Sequence, residues 1–172
     1  MSHVFLFRAV NVGGTAKLPM AELRALAAEL GATEMQTYIA SGNLIASPPG
    51  DPVAFAEVLR AAVRDRFGFD REVLHRTTGQ LQDALREHPF EVENPAHSYV
   101  YFLSATPAAT AVAAADAVER GGDEWRVVGD DLHVRFDRGT SQATLKTDQL
   151  VRTLGVVATA RNLRTIAELS TR

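Results

Sequence analysis

Apolar and polar positions along this chain lay out its elements one after another. The run His3-Val4-Phe5-Leu6-Phe7 opens a strand predicted over residues 3–10, with Val4, Leu6 and Val10 on one face and Phe5, Phe7 and Ala9 on the other. Met20, Leu23, Leu26, Ala27 and Leu30 then recur at helical spacing and predict a helix over residues 19–30. Pro19 suits its first turn and Gly31 its end. A short strand over 36–39, a turn at Ser41-Gly42-Asn43 and a return strand over 44–47 follow. Pro48-Pro49-Gly50 breaks the chain before a second helix, which carries Phe55, Val58, Leu59, Ala62, Val63 and Phe67 inward. Gly68 closes that helix, and residues 72–76 read as a fourth strand. Strand-helix-strand-strand-helix-strand is the order of a ferredoxin-like unit.

The rest of the chain varies the same theme. Thr77 and Gln80 form a capping box for a bridging helix that ends before Pro89. A strand over 99–104 precedes an alanine-rich helix opened by Thr106-Pro107, and strands over 125–128 and 132–136 form a hairpin around Gly129-Asp130-Asp131. A helix over 141–154, a brief strand over 156–158 and a last helix from Asn162 complete the pattern. The expected fold is α+β, two ferredoxin-like halves packed into one compact unit. The N-terminal half covers residues 1–76, a bridging helix and loop 77–97, and the C-terminal half with an extra terminal helix 98–172. The first strand and residues 99–103 are apolar on both faces, so both faces need cover, which leaves room for a homodimer. Along 132–136, His133 and Arg135 alternate with apolar residues, so one face of that strand is expected to meet water.

This topology predicts where a site forms. In a ferredoxin-like unit the first two strands run parallel and the third returns between them. The loop leaving the first strand and the turn joining the second to the third then share one end of the sheet. Asn11, Gly13 and Gly14 should therefore lie beside Ser41, Gly42 and Asn43, and two converging polar loops are what a small-ligand site needs. A glycine pair between a strand and a helix presents backbone N–H groups to an anion, although glycines equally serve sharp turns. No Gly-Lys-Ser/Thr follows Gly14, and the pattern is not a dinucleotide fingerprint. Arg8 either pairs with an acid such as Glu72 or Asp70 or stays open to an anionic ligand. Ser41-Gly42-Asn43 is first of all a hairpin turn. Asn162 is explained as the N-cap of the last helix, but capping does not require Arg161 beside it. The topology leaves open whether Arg161 comes near Arg8.

Composition narrows the chemistry. Cysteine is absent, which removes disulfides, thiol nucleophiles and thiolate-bound metals. The five histidines lack metal-ligand spacing and no nucleophile elbow is present, so neither metal nor cofactor is expected. A net charge of −3 weighs against bulk binding to nucleic acid. The N-terminus does not resemble a signal peptide, and no apolar stretch approaches the roughly 20 residues of a membrane span. A cytoplasmic location without a membrane partner is the expectation.

Arg8-Ala9-Val10-Asn11-Val12-Gly13-Gly14, followed by Lys17-Leu18-Pro19-Met20 and Leu23, resembles the hallmark of a bacterial family, domain-of-unknown-function family 1697. Ser41-Gly42-Asn43 matches a second motif of that family, and Thr159-Ala160-Arg161-Asn162 with Thr165 matches a third. The resemblance implies an α+β fold of two related subdomains and brings no activity or cofactor. The chain departs from the family pattern at Ala9-Val10, where Gly-Ile is usual, at Leu163 for Trp and at Ala46 for Phe. Ala143-Thr144-Leu145-Lys146 stands where Ser-Lys-Leu-Thr is more common.

Three functions fit these observations. The first is a binding domain for a small anionic, phosphate-bearing ligand at Arg8, Asn11, Gly13, Gly14, Ser41 and Asn43, with Arg161 and Asn162 contributing. The second is an RNA-binding or protein-interaction module, although the basic-aromatic signature of RNA recognition is missing. The third is an enzyme of unknown class, weakened by the lack of a recognisable nucleophile, base and metal set.

Overall fold

The apolar run near the start of the chain forms β1 (His3–Phe7), and the elements follow in the expected order. The structure is a computed structural model and describes residues 2–172. After β1 come α1 (Met20–Glu29), β2 (Thr33–Thr37), β3 (Asn43–Ser47), α2 (Pro52–Phe67), β4 (Val73–Thr77) and α3 (Thr78–Arg86). The second series is β5 (Ser98–Leu103), α4 (Ala109–Ala115), β6 (Glu124–Val128), β7 (Asp131–Arg135), α5 (Thr147–Leu154), β8 (Ala158–Asn162) and α6 (Leu163–Leu169). Two compact units result. The first runs to Leu81 and includes Leu169–Arg172, and the second is Gln82–Glu168.

Each unit holds one antiparallel four-stranded sheet, ordered β2-β3-β1-β4 in the first and β6-β7-β5-β8 in the second. Both orders are those of the ferredoxin-like fold, so the α+β class and its two halves hold. In the first unit Phe5, Phe7, Leu23, Leu26, Leu44 and Leu59 share one core, and burying each stabilises by about 1.5–3 kcal/mol. In the second, Leu132, Val134, Phe136, Leu150 and Leu154 do the same. Val4 and Leu6 of β1 and Val100 and Phe102 of β5 are also fully buried, so both sheets are covered on both faces, as their doubly apolar strands require.

Local chemistry sets the ends of elements. The Asp51 carboxylate accepts the Ala54 N–H at 2.8 Å and caps α2, Pro52 opens it, and Gly68 at φ 79° stops it. The capping box forms as expected: the Thr77 N–H donates to Gln80 Oε1 at 2.8 Å and the Gln80 N–H to Thr77 Oγ1 at 3.1 Å.

Five expectations change. The first strand ends at Phe7, because Ala9 and Asn11 turn the chain at φ 51° and 55°, and Val10 thereby joins the Phe5 and Phe7 side of the sheet. Val58 stays half exposed, since the stripe Phe55, Leu59 and Val63 already fills the buried face of α2. The helix over 141–154 is a short 3-10 turn, Thr140–Gln142, followed by α5 from Thr147. Between them the buried Asp123 carboxylate accepts the N–H groups of Thr144 and Leu145, which a continuous helix would use internally. The brief strand at 156–158 lies instead at Ala158–Asn162. His133 is fully buried, because β7 is an inner strand and the His88 ring lies 5.1 Å from its own.

Candidate functional site

Five residues between Ala9 and Ala16 adopt left-handed backbone conformations: Ala9, Asn11, Gly13, Gly14 and Ala16, at φ 51°, 55°, 60°, 74° and 49°. Val12-Gly13-Gly14-Thr15 forms a tight turn closed by the Thr15 N–H on the Val12 carbonyl at 3.0 Å, and the Asn11 N–H reaches the Ala16 carbonyl at 3.0 Å. Two consecutive positive φ values at the turn centre suit glycine and strain any other residue. The left-handed alanines have no such freedom, so the surrounding bonds must hold them there.

Asn11 supplies most of that hold. Its Nδ2 donates to the Leu18 carbonyl at 2.9 Å and to the Ala40 carbonyl at 2.6 Å, while its Oδ1 accepts the Leu18 N–H at 2.7 Å. Ala40 belongs to the turn between β2 and β3, so one side chain ties both loops together. Asn43, fully buried, donates to the Tyr38 carbonyl at 3.0 Å and to Ser41 Oγ at 2.9 Å. The Phe7 N–H donates to the Gly42 carbonyl at 2.9 Å. A Cβ on Gly42 would lie 2.6 Å from Val10 Cγ2 and 2.7 Å from Phe7 Cβ. The loops therefore adjoin as the topology predicts.

Asn11, Ser41 and Asn43 thus use side-chain atoms to shape the backbone. Facing outward are Arg8, Val12, Gly13, Gly14 and Lys17. The Arg8 side chain is 46% exposed and meets Glu72 at 3.4 Å, an ion pair of little strength. Arg71 lies close, its Nε 3.4 Å from the Ala9 carbonyl. Gly13 and Gly14 find no acceptor for their N–H groups among the described residues. On the facing loop Ile39 is exposed at φ 49°, a costly conformation for a β-branched residue.

Arg161 and Asn162 lie in the second unit, in β8. Arg161 is buried, with Nη1 donating to Thr159 Oγ1 at 2.9 Å and to the Ala160 carbonyl at 2.8 Å. Burial pushes its guanidinium down to about 10, which leaves it charged at neutral pH. Asn162 Oδ1 accepts the Thr165 N–H at 2.9 Å, the cap expected of it. The first unit repeats this arrangement with Arg76, a residue that sequence reasoning missed. Arg76 pairs in register with Val4 as Arg161 does with Val100, both arginines are buried, and the next residue caps the following helix. The signal was present as Arg76-Thr77-x-x-Gln80 beside Arg161-Asn162-x-x-Thr165.

Sequence reasoning also missed an open recess of about 850 Å³ in the second unit, lined by Tyr101, Phe136, Lys146, Asp148, Gln149 and Arg152 among others. Its wall is shaped by Asp123, whose carboxylate accepts the N–H groups of Asp137, Thr144 and Leu145 at 2.9, 2.8 and 3.0 Å. Burial raises the Tyr101 phenol, and a hydrogen bond with Thr147 partly offsets the effect. Among the described residues no group of three or more His, Cys, Asp or Glu side chains could hold a metal ion, and no helix is long and apolar enough to cross a membrane.

A conserved bacterial protein from Streptococcus pneumoniae has a similar structure, with a TM-score of 0.73 and 19% sequence identity over 99% of this chain and 97% of that one. At that identity the likeness establishes the fold. No curated protein matches the chain. Residues 1–133 match the family described as "Protein of unknown function (DUF1697)", and the chain belongs to that family.

Proposed function

We propose that the chain binds a small anionic, phosphate-bearing ligand at the paired loops of the first unit. Arg8 supplies the charge, and the Gly13 and Gly14 N–H groups supply donors. The observation that carries this reading is the Asn11 tie. It fixes two loops in left-handed conformations around donors that the core does not use. Strain held in place at an exposed, cationic loop is a feature of ligand sites. Asn11, Ser41 and Asn43 act as positioning residues in this reading, while Arg161 and Asn162 of the second unit stay outside it.

The test is a thermal-shift comparison of wild type and Arg8→Ala with inorganic phosphate and phosphate esters. A ligand at about 100 times its Kd stabilises the folded state by about 2.7 kcal/mol. The shift should appear in wild type, fall in a folded Arg8→Ala, and vanish when Arg8→Ala is combined with Lys146→Gln and Arg152→Gln, which remove the recess cations. Equal shifts with and without Arg8 in the Lys146→Gln, Arg152→Gln background would exclude the site.

A protein-interaction role is the second reading, favoured by Val12 and Ile39, which are 61% and 51% exposed on the two loops. Pull-down of a partner that is lost on Val12→Ser with Ile39→Ser, and retained on Arg8→Ala, would select it.

A further inference from the structure

We propose that the recess of the second unit binds a mononucleotide-sized phosphate ester, independently of the loop site. At about 850 Å³ it lies within the range of small-molecule pockets and is far larger than an inorganic anion needs. All of its lining residues come from one unit, so it is complete as it stands.

The lining has three kinds of surface. The half-buried Tyr101 offers an aromatic ring to a flat group, and the buried Phe136 backs the wall behind it. Lys146 and Arg152 are exposed at the recess, and neither has an ion-pair partner among the described residues. Most other arginines of the second unit are engaged. Arg86, Arg120 and Arg135 pair with acids, and Arg126 lies over the Phe90 ring. Two unpaired cations at one recess suit a phosphate group. Asp148 lies on the same wall and accepts hydrogen bonds only, so it repels a bare anion and favours hydroxyl or amino donors. Thr140, Gln149 and Thr153 add neutral hydrogen-bonding groups. Ring, hydroxyls and phosphate on one small molecule satisfy all three surfaces, and a mononucleotide carries them at this size.

Asp123 holds the recess in shape. Its carboxylate fixes the backbone of Thr144 and Leu145, just ahead of Lys146 and α5. The cations thus project from a backbone that is anchored before any ligand arrives.

The test is isothermal titration of the full chain with AMP, CMP, GMP and UMP, with inorganic phosphate and a short oligoribonucleotide as comparisons. At least one mononucleotide should bind saturably with a Kd below about 1 mM, and inorganic phosphate about tenfold or more weaker. Arg152→Gln and Lys146→Gln should each weaken mononucleotide binding about tenfold. Asp148→Asn should tighten inorganic phosphate, because a repulsive charge is gone. Arg8→Ala should change nothing, which separates this site from the loop site. Both cations are exposed, so their variants should fold, and unchanged melting curves would verify it. The inference is overturned if no mononucleotide binds saturably up to about 10 mM. It is overturned equally if binding survives both cation variants, depends on Arg8, or appears only with the oligoribonucleotide.

Discussion

Asn11 carries three hydrogen bonds from one side chain, two as donor and one as acceptor. Each is worth about 1 kcal/mol net. Asn11→Ala should therefore cost about 2 kcal/mol or more in urea denaturation. Asn11→Asp keeps the shape and the acceptor but sets a carboxylate against the Leu18 and Ala40 carbonyls, so it should be at least as damaging. A mild Asp variant would contradict the role given to Nδ2. Gly42 is constrained in a different way. At φ 87°, with Phe7 Cβ only 2.7 Å from where an added methyl group would sit, Gly42→Ala faces both backbone strain and a contact that cannot relax by a side-chain rotation. A loss of about 2 kcal/mol or more is expected, and a loss below about 0.5 kcal/mol would show that the loops can part freely. By contrast, the loose Arg8–Glu72 pair joins an exposed arginine to a half-buried glutamate across 3.4 Å, so Arg8→Ala should change stability by less than about 1 kcal/mol.

At the scale of elements, α5 and its approach show how a single buried carboxylate decides a boundary. Helical spacing runs from 141 to 154, yet Asp123 draws the Thr144 and Leu145 N–H groups away from any helix. Asp123→Ala would strand three backbone donors, and a destabilisation of about 3 kcal/mol or more is expected. Asp123→Asn keeps one oxygen for two of them and should cost less. Loss of mononucleotide binding in the Asn variant, measured by the same titration, would follow if the wall had loosened. The order of elements was legible in sequence because periodicity and glycine or proline breaks are local. So was the meeting of the Gly13 and Gly42 loops, because it follows from strand order alone. What Asp123 does was not legible, since its partners lie 14, 21 and 22 residues away. The burial of His133 escaped for the same reason: the ring that covers it belongs to His88, 45 residues earlier.

On the scale of the whole molecule, two units share one plan, down to a buried arginine and a capping residue at the end of β4 and of β8. Each unit also holds a histidine kept neutral inside. His75 is lowered to about 4 by burial, with the nearby charges of His3 and Arg76 adding to it. His133 is lowered to about 4 by burial and by His88. Their unfolded values are near 6.5, so the unfolded chain binds more protons between about pH 6.5 and 4. Stability contributed by the neutral rings is therefore complete above about pH 6.5 and falls as pH drops towards 4. A melting temperature that is flat above about pH 7 and declines between about pH 6.5 and 5 is expected, a window above the titration of the carboxylates. His133→Phe should flatten part of that decline. A melting temperature that rises on acidification would contradict the assignment.

The most direct test of the loop site is a backbone amide NMR titration of the wild-type chain with inorganic phosphate and phosphate esters. The Gly13 and Gly14 amide signals should move downfield and saturate together, as N–H groups do when they donate to an anion, and should stay still in Arg8→Ala. If those two signals do not move while others do, the anion binds elsewhere and the left-handed loop serves the fold alone.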